Sequence, residues 1–292
     1  MKKSANVGEL LFNGVNYVLL IICALATLGP FLYVAAVSLS PLEQVMRGGL
    51  ILWPEKVTWD SYRMILTNSH FTQALWVTVA ITIVGTAVNL FLTVTMAYPL
   101  SKKRLKGRSV MLFLVLFTML FSGGMIPTFL VVKWLDLLNS FWSVIIPAGI
   151  SAFNLIILKN FFQGIPDALD ESARIDGCSN IGSLVRIVLP LSMPALATFT
   201  LFYSVGHWNQ FFSSIMYVTD SNLWPIQVIL RQMIIQGSIE EFQAAIANES
   251  IQTMPTTIKM AAIVVATVPI LCVYPFLQKH FAKGVMLGSV KG

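Results

Sequence analysis

Long apolar runs alternating with short polar ones set the pattern of this chain. Val15 to Leu39 is apolar almost throughout. A helix needs about 20 such residues to cross the hydrocarbon core of a bilayer, so the run predicts a first span. A secretory signal peptide is the competing reading, because Lys2-Lys3 precede the run and Ala24-Leu25-Ala26 resembles a cleavage site. The run continues through Ala36, which favours an uncleaved helix. Further spans are predicted at Phe71–Leu100, Ser109–Val132, Phe141–Phe162, Ala195–Val218 and Met254–Leu277. The third carries Gly123-Gly124 and Pro127, and the fourth Pro147, where a helix is expected to bend or unwind. The runs are continuous rather than alternating, which argues against a transmembrane β-barrel. The expected fold is all-α: one polytopic membrane domain over residues 1–292 with six transmembrane helices.

Composition agrees. Of the 292 residues 56% are hydrophobic and 11% charged, against about 25% charged in soluble domains. A net charge of +6 raises the question of nucleic acid. The cations collect at the edges of the apolar runs instead, so the membrane accounts for them. Ser101 to Arg108 holds five cations and no acid, which predicts a cytoplasmic loop. With both termini placed inside, the inner segments carry thirteen Lys and Arg against five acids, and the outer ones six against eight. That asymmetry supports the topology of a multi-pass membrane protein. The three cysteines suggest no disulfide framework.

Between the fourth and fifth spans lies a polar stretch, 164–194, holding four of the thirteen acids. Pro166 suits the first position of a helix. Asp167, Asp170 and Glu171 suit the positive end of its dipole. Gly177 permits a break. A second helix would follow, with Ile181, Leu184, Val185, Val188 and Leu189 at the spacing of one apolar stripe. Pro190 and Pro194 end it. Two short helices with an apolar stripe suit docking into another protein.

These residues resemble the "EAA" loop of ABC-importer permeases. The likeness rests on Glu171-Ser172-Ala173, Asp176-Gly177, Ile187, Leu189-Pro190 and Pro194 at the family's spacings. Ser172 and Cys178 stand where alanine is usual, and both are small. The resemblance implies a permease subunit that pairs with a second permease and two ATP-binding cassette ATPases. The loop would sit in a cleft of the ATPase, with Glu171 accepting a charge-assisted bond from it and Ile181, Leu184, Val185 and Val188 supplying apolar contact. The bland reading of Glu171 is a solvated partner for Arg174, worth about 0.2–0.5 kcal/mol. No Gly is followed by Lys anywhere, so the chain carries no phosphate-cradling loop of its own. No cofactor or metal site is expected in it, and ATP and Mg would belong to the partners. His70, His207 and His280 lie too far apart in sequence to suggest zinc.

The resemblance covers the whole chain and is closest to the carbohydrate-uptake, maltose-type second permease. The short tail 278–292, with its glycines, is similar to the cytoplasmic end of such permeases. Phe121 to Pro127 further resembles permeases for polysaccharide fragments such as alginate or pectin oligosaccharides. A substrate path is expected between helices, where polar groups face a cavity. Tyr203, His207, Trp208, Asn209 and Gln210 combine aromatic faces with planar polar groups, the chemistry that holds sugars, and Asn154 on the fourth span joins them. A helix end at the membrane interface is the alternative for this cluster. The outer loop 219–253 is expected to meet an extracytoplasmic binding protein through Trp224, Ile229, Met233, Glu240 and Glu241. Its stripe Ile226, Ile229, Leu230, Met233 and Ile234 suits a lipid surface equally well. The alternatives are an ion-coupled secondary transporter and an ABC importer for a solute other than sugar. The first would need coupling carboxylates in the spans, and the six spans contain no Asp or Glu.

Overall fold

The computed structural model describes residues 7–235 and 255–289, and these are helical with no strand among them. Contacts gather into two compact units. One comprises Met1–Ser69 with Gln232–Thr267, the other His70–Arg231 with Val268–Gly292.

In the first unit α1 (Val7–Ser38) is followed by the short α2 (Leu42–Met46) and α3 (Asp60–Thr67). The apolar part of α1, Leu11–Ser38, has a peak mean hydropathy of 2.4, and the 18-residue window of that peak has no buried residue. So continuous an apolar surface belongs in lipid or against another subunit. Only its end packs inward, where Ala36 and Val37 meet Ile51, Tyr33, Val45 and Met260. Helix α14 (Thr256–Ser289) runs past the predicted sixth span. Residues expected to form a separate tail from 278 continue this helix as far as Ser289.

The second unit is built on α4 (Ser69–Ser101), a single unbroken span. The next three segments are each bent. Helices α5 (Arg108–Leu120) and α6 (Met125–Trp134) meet at 118°. Gly124 takes a φ of 87°, a conformation side chains resist, and the carbonyl freed there accepts from Thr128 N–H and Oγ1. The break predicted at Gly123-Gly124 is therefore real. A 3₁₀ segment, Phe141–Ala148, then meets α7 (Ala152–Gln163) at 54°, and Ser151 caps α7 by accepting from Asn154 N–H.

Next come α8 (Asp167–Ile175), then α9 (Asn180–Ser183), a π-helical turn at Leu184–Val188, and α10 (Leu189–Leu191). The stretch Asn180–Leu191 meets α11 (Met193–Trp208) at 83°. This differs from the predicted fifth span, 195–218. Helix α11 starts earlier and stops at Trp208, and α12 (Phe212–Tyr217) is separate. The polar Asn209-Gln210 pair interrupts the run. Helix α13 (Ile226–Ile235) follows. Among the described residues three helices are long and apolar enough to cross a bilayer singly, and up to six spans result when each bent pair counts as one.

Among the described residues of this unit, two cores stand out. Leu155, Leu158 and Phe162 of α7 pack with Ala97 and Leu100 of α4 and with Phe199 and Tyr203 of α11. Ile81, Val132, Val144, Ile145, Tyr217 and Val218 form the other.

Candidate functional site

The segment between α7 and α11 folds as its sequence dictates. Helix α8 ends in a reversal at Gly177, whose φ is 77°. The Cys178 N–H returns to the Ala173 carbonyl at 2.8 Å, closing the six-residue ring that ends many helices. Ser179 then caps α9 by accepting from Gly182 N–H at 3.1 Å. Glycine is required at 177 by its backbone angle. At 182 an added Cβ would lie 2.6 Å from the Cys178 sulfur.

The predicted docking residues separate into two sets. Glu171, Ser172, Asp176, Gly177, Ile181, Val185 and Pro190 are exposed. Ala173, Leu184 and Val188 are buried, and the last two belong to the chain's own core. The apolar stripe is therefore shared. One row, Leu184 and Val188, faces inward, while Ile181 and Val185 remain 74% and 54% exposed.

Asp170, next to Glu171, faces the other way. Its Oδ2 lies 3.1 Å from Lys102 Nζ and 3.4 Å from Arg104 Nη2, and its Oδ1 accepts from Ser183 Oγ at 2.7 Å. Burial pushes the carboxyl pKa up, but the Ser183 hydroxyl and the Lys102 and Arg104 cations outweigh it and hold the pKa below its ordinary value. The sequence reading missed this cluster. Its signal was present in two loops of opposite charge, 101–108 and 167–176, both predicted on one side of the membrane.

The polar cluster on α11 is mostly turned inward. Asn154, Tyr203, His207 and Trp208 are buried, Gln210 is half-buried, and only Asn209 of the six is exposed. The Tyr203 hydroxyl is 2.7 Å from Thr93 Oγ1. Gln210 donates from Nε2 to the Val144 carbonyl at 2.8 Å, and its Oε1 lies 3.2 Å from His207 Nδ1. Asn89 donates to the Ala148 carbonyl at 3.0 Å. Both amides thus satisfy carbonyls of the 3₁₀ segment, as a broken helix at membrane depth demands. The imidazole of His207 rests on Gly85, where an added Cβ would lie 2.6 Å from Nε2. Thr82 Oγ1, Thr86 Oγ1, Asn89 Oδ1 and His207 Nε2 are buried with no hydrogen-bond partner among the described residues. Together they form a polar seam, largely along one face of α4.

Trp224 and Ile229 are half-buried, as is Met233. Ile226 and Leu230 of the predicted surface stripe are buried, and Ile226 N–H donates to Thr78 Oγ1 at 2.7 Å. That part of the outer loop packs on the chain itself. Glu240 and Glu241 lie outside the described residues.

The chain belongs to the family of binding-protein-dependent transport system inner membrane components, whose model matches residues 89–287. It is 52% identical to the polygalacturonan/rhamnogalacturonan transport system permease protein YtcP of Bacillus subtilis (strain 168), over 97% of this chain and 99% of that one. It is 30% identical to the arabinooligosaccharides transport system permease protein AraQ of Halalkalibacterium halodurans, covering 90% and 91% of the two chains. Among solved structures, it superposes on a chain of a bacterial ABC transporter involved in the import of the acidic polysaccharide alginate. The TM-score is 0.88 at 34% identity, over 96% of this chain and 100% of that one. The chain is thus an ABC-importer permease with multiple membrane helices, as the resemblance implied, and the secondary-transporter alternative falls.

Proposed function

We propose that this chain is one of two permeases in an importer of uronate-containing oligosaccharides, with both termini in the cytoplasm. A binding protein delivers the sugar outside, and two ATPases bind the segment 164–194 inside. ATP and Mg belong to those ATPases. Their closure moves the coupling segment and switches the sugar path from one side of the membrane to the other. The observation that carries this reading is the sorting of side chains on that segment. Glu171, Ile181 and Val185 are exposed with no role in the chain's own core, so a charged and an apolar contact stand ready for a partner. The choice of an acidic sugar is supported by two relatives whose substrates carry uronates, and the exposed Asn209 is the polar group of α11 best placed to meet it.

The test is purification of the chain from its own membrane with whatever stays bound, followed by uptake of oligogalacturonate into vesicles. The expected result is recovery of an ATPase and a second permease, ATP-dependent uptake, and loss of the ATPase in Glu171→Lys. ATPase retention by that variant would remove Glu171 from the docking surface. Uptake of a neutral arabino-oligosaccharide in preference to the uronate would overturn the substrate class.

A further inference from the structure

Two consecutive carboxylates on α8 face opposite ways. Successive residues of an α-helix point about 100° apart, so Asp170 and Glu171 cannot serve one surface. Glu171 is exposed, whereas the Asp170 side chain is 13% exposed and both of its oxygens are occupied within the chain. We propose that Asp170 is a positioning residue: it ties the coupling helix to the end of α4, so that α8 and α4 move as one body. The inference rests on the coupling role given to 164–194 above.

Three elements meet at this carboxylate. Lys102 follows the last residue of α4, Asp170 sits within α8, and Ser183 ends α9. The partners lie 68 and 13 residues away in sequence from Asp170, so chain connectivity alone does not hold them together. Lys102 is itself steadied, with Nζ 4.9 Å from the centre of the Tyr98 ring. Arg108 closes the end of α4 from the other side, donating from Nε to the Leu100 carbonyl at 2.8 Å. The space beneath the carboxylate, lined by Tyr98, Ser101, Phe162, Leu169, Ile187 and Val188, is about 10 Å³. That is room for about one water molecule, whereas a cavity of about 800 Å³ opens on the other side of Lys102 and Arg104, towards Asn180 and Ile181.

The consequence is mechanical. A pull on α8 reaches α7 and α11 through the backbone. Through Asp170 it also reaches α4, to which α8 has no nearby covalent link. Helix α4 is the element that carries Gly85, Asn89 and Thr93 into the polar seam against His207 and Tyr203. Asp170 therefore adds α4 to the helices that ATPase closure moves.

The experiment uses the assembled importer in proteoliposomes, with its binding protein and labelled oligogalacturonate. ATPase retention, ATP hydrolysis and sugar imported per ATP are measured. Asp170→Asn is expected to keep the ATPase and its hydrolysis while import per ATP falls roughly tenfold, the scale of one lost charge-assisted bond. Lys102→Met should show the same defect, and combining the two should add little to either alone, since both break one link. Release of the ATPase by Asp170→Asn would make Asp170 a docking residue and overturn the proposal. Unchanged import per ATP, or two defects that simply multiply, would also overturn it. Ser183→Ala keeps both ion pairs, and a smaller fall in the same ratio is expected even if Asp170→Asn fails to assemble. No fall with Ser183→Ala counts against the link. Absence of ATP-driven import by the wild type would instead refute the importer reading itself.

Discussion

Helix α4 is held by different forces at its end and at its middle. At Lys102 the helix meets α8 through full charges, with Asp170 bridging Lys102, Arg104 and Ser183. At Gly85 to Thr93 it meets α11 through neutral groups only. There a glycine lets an imidazole approach, Asn89 fills a carbonyl of the 3₁₀ segment, and Thr93 bonds a tyrosine. The difference follows from water. Charges at the membrane edge stay close to water, so pairing them there carries a modest cost. Within the span an unpaired ion would be prohibitively costly, so shape and neutral hydrogen bonds take over. The charged joint depends on paired ions, whereas the neutral one depends on fit.

The comparison breaks first at Gly85. Gly85→Leu would drive a side chain into the buried ring of His207, since even its Cβ would lie 2.6 Å from Nε2. A cost of about 1–3 kcal/mol is expected for such overpacking, seen as a lower melting temperature of the purified complex and lost uptake. His207→Ala in the same chain should recover part of it by vacating the space. A stable, active Gly85→Leu would show that α4 and α11 do not meet as described.

Next to the charged joint, in the reversal after α8, Gly177→Ala should cost about 1–2 kcal/mol, because alanine resists the left-handed backbone at φ 77°. Here the readout is weaker ATPase retention, since the reversal sets where Ile181 and Val185 stand relative to Glu171. Unaltered retention would mean that the bend angle is irrelevant to docking.

The smallest effect is one of pH. Asp170's pKa is lowered in the folded protein. Its contribution is complete above the ordinary aspartate value of about 3.9 and is lost as pH falls through the lower folded value. The stability gap between wild type and Asp170→Asn should thus stay constant above about pH 5 and close only in stronger acid. A gap that closes between pH 7 and 5 would assign the effect to another group.

The coupling segment was largely legible beforehand. Gly177 and the two helices follow from local rules: a left-handed reversal needs glycine, and a serine caps the helix that follows. The division of the stripe was not legible. Ile181, Leu184, Val185 and Val188 occupy adjacent rows of one helix, and no local rule says that the core takes one row and leaves the other. The use of the polar cluster on α11 was not legible for a related reason. Tyr203, His207 and Gln210 have the chemistry of a sugar site, yet that chemistry also mends a broken helix. Which use prevails depends on the bend at Phe141–Ala148 lying alongside.

The sequence by itself determined which stretches are apolar enough to cross a membrane and that the third and fourth of them break. It also determined which segment carries the coupling motif, because hydropathy, glycine and proline act over a few residues. Only the tertiary structure decided the partners of side chains far apart in the chain. It turned Asp170 inward and Glu171 outward, set His207 on Gly85, and assigned Gln210 to a carbonyl of another helix. Pairings of this kind depend on how helices lean on one another, and a pattern that repeats every few residues carries no record of that.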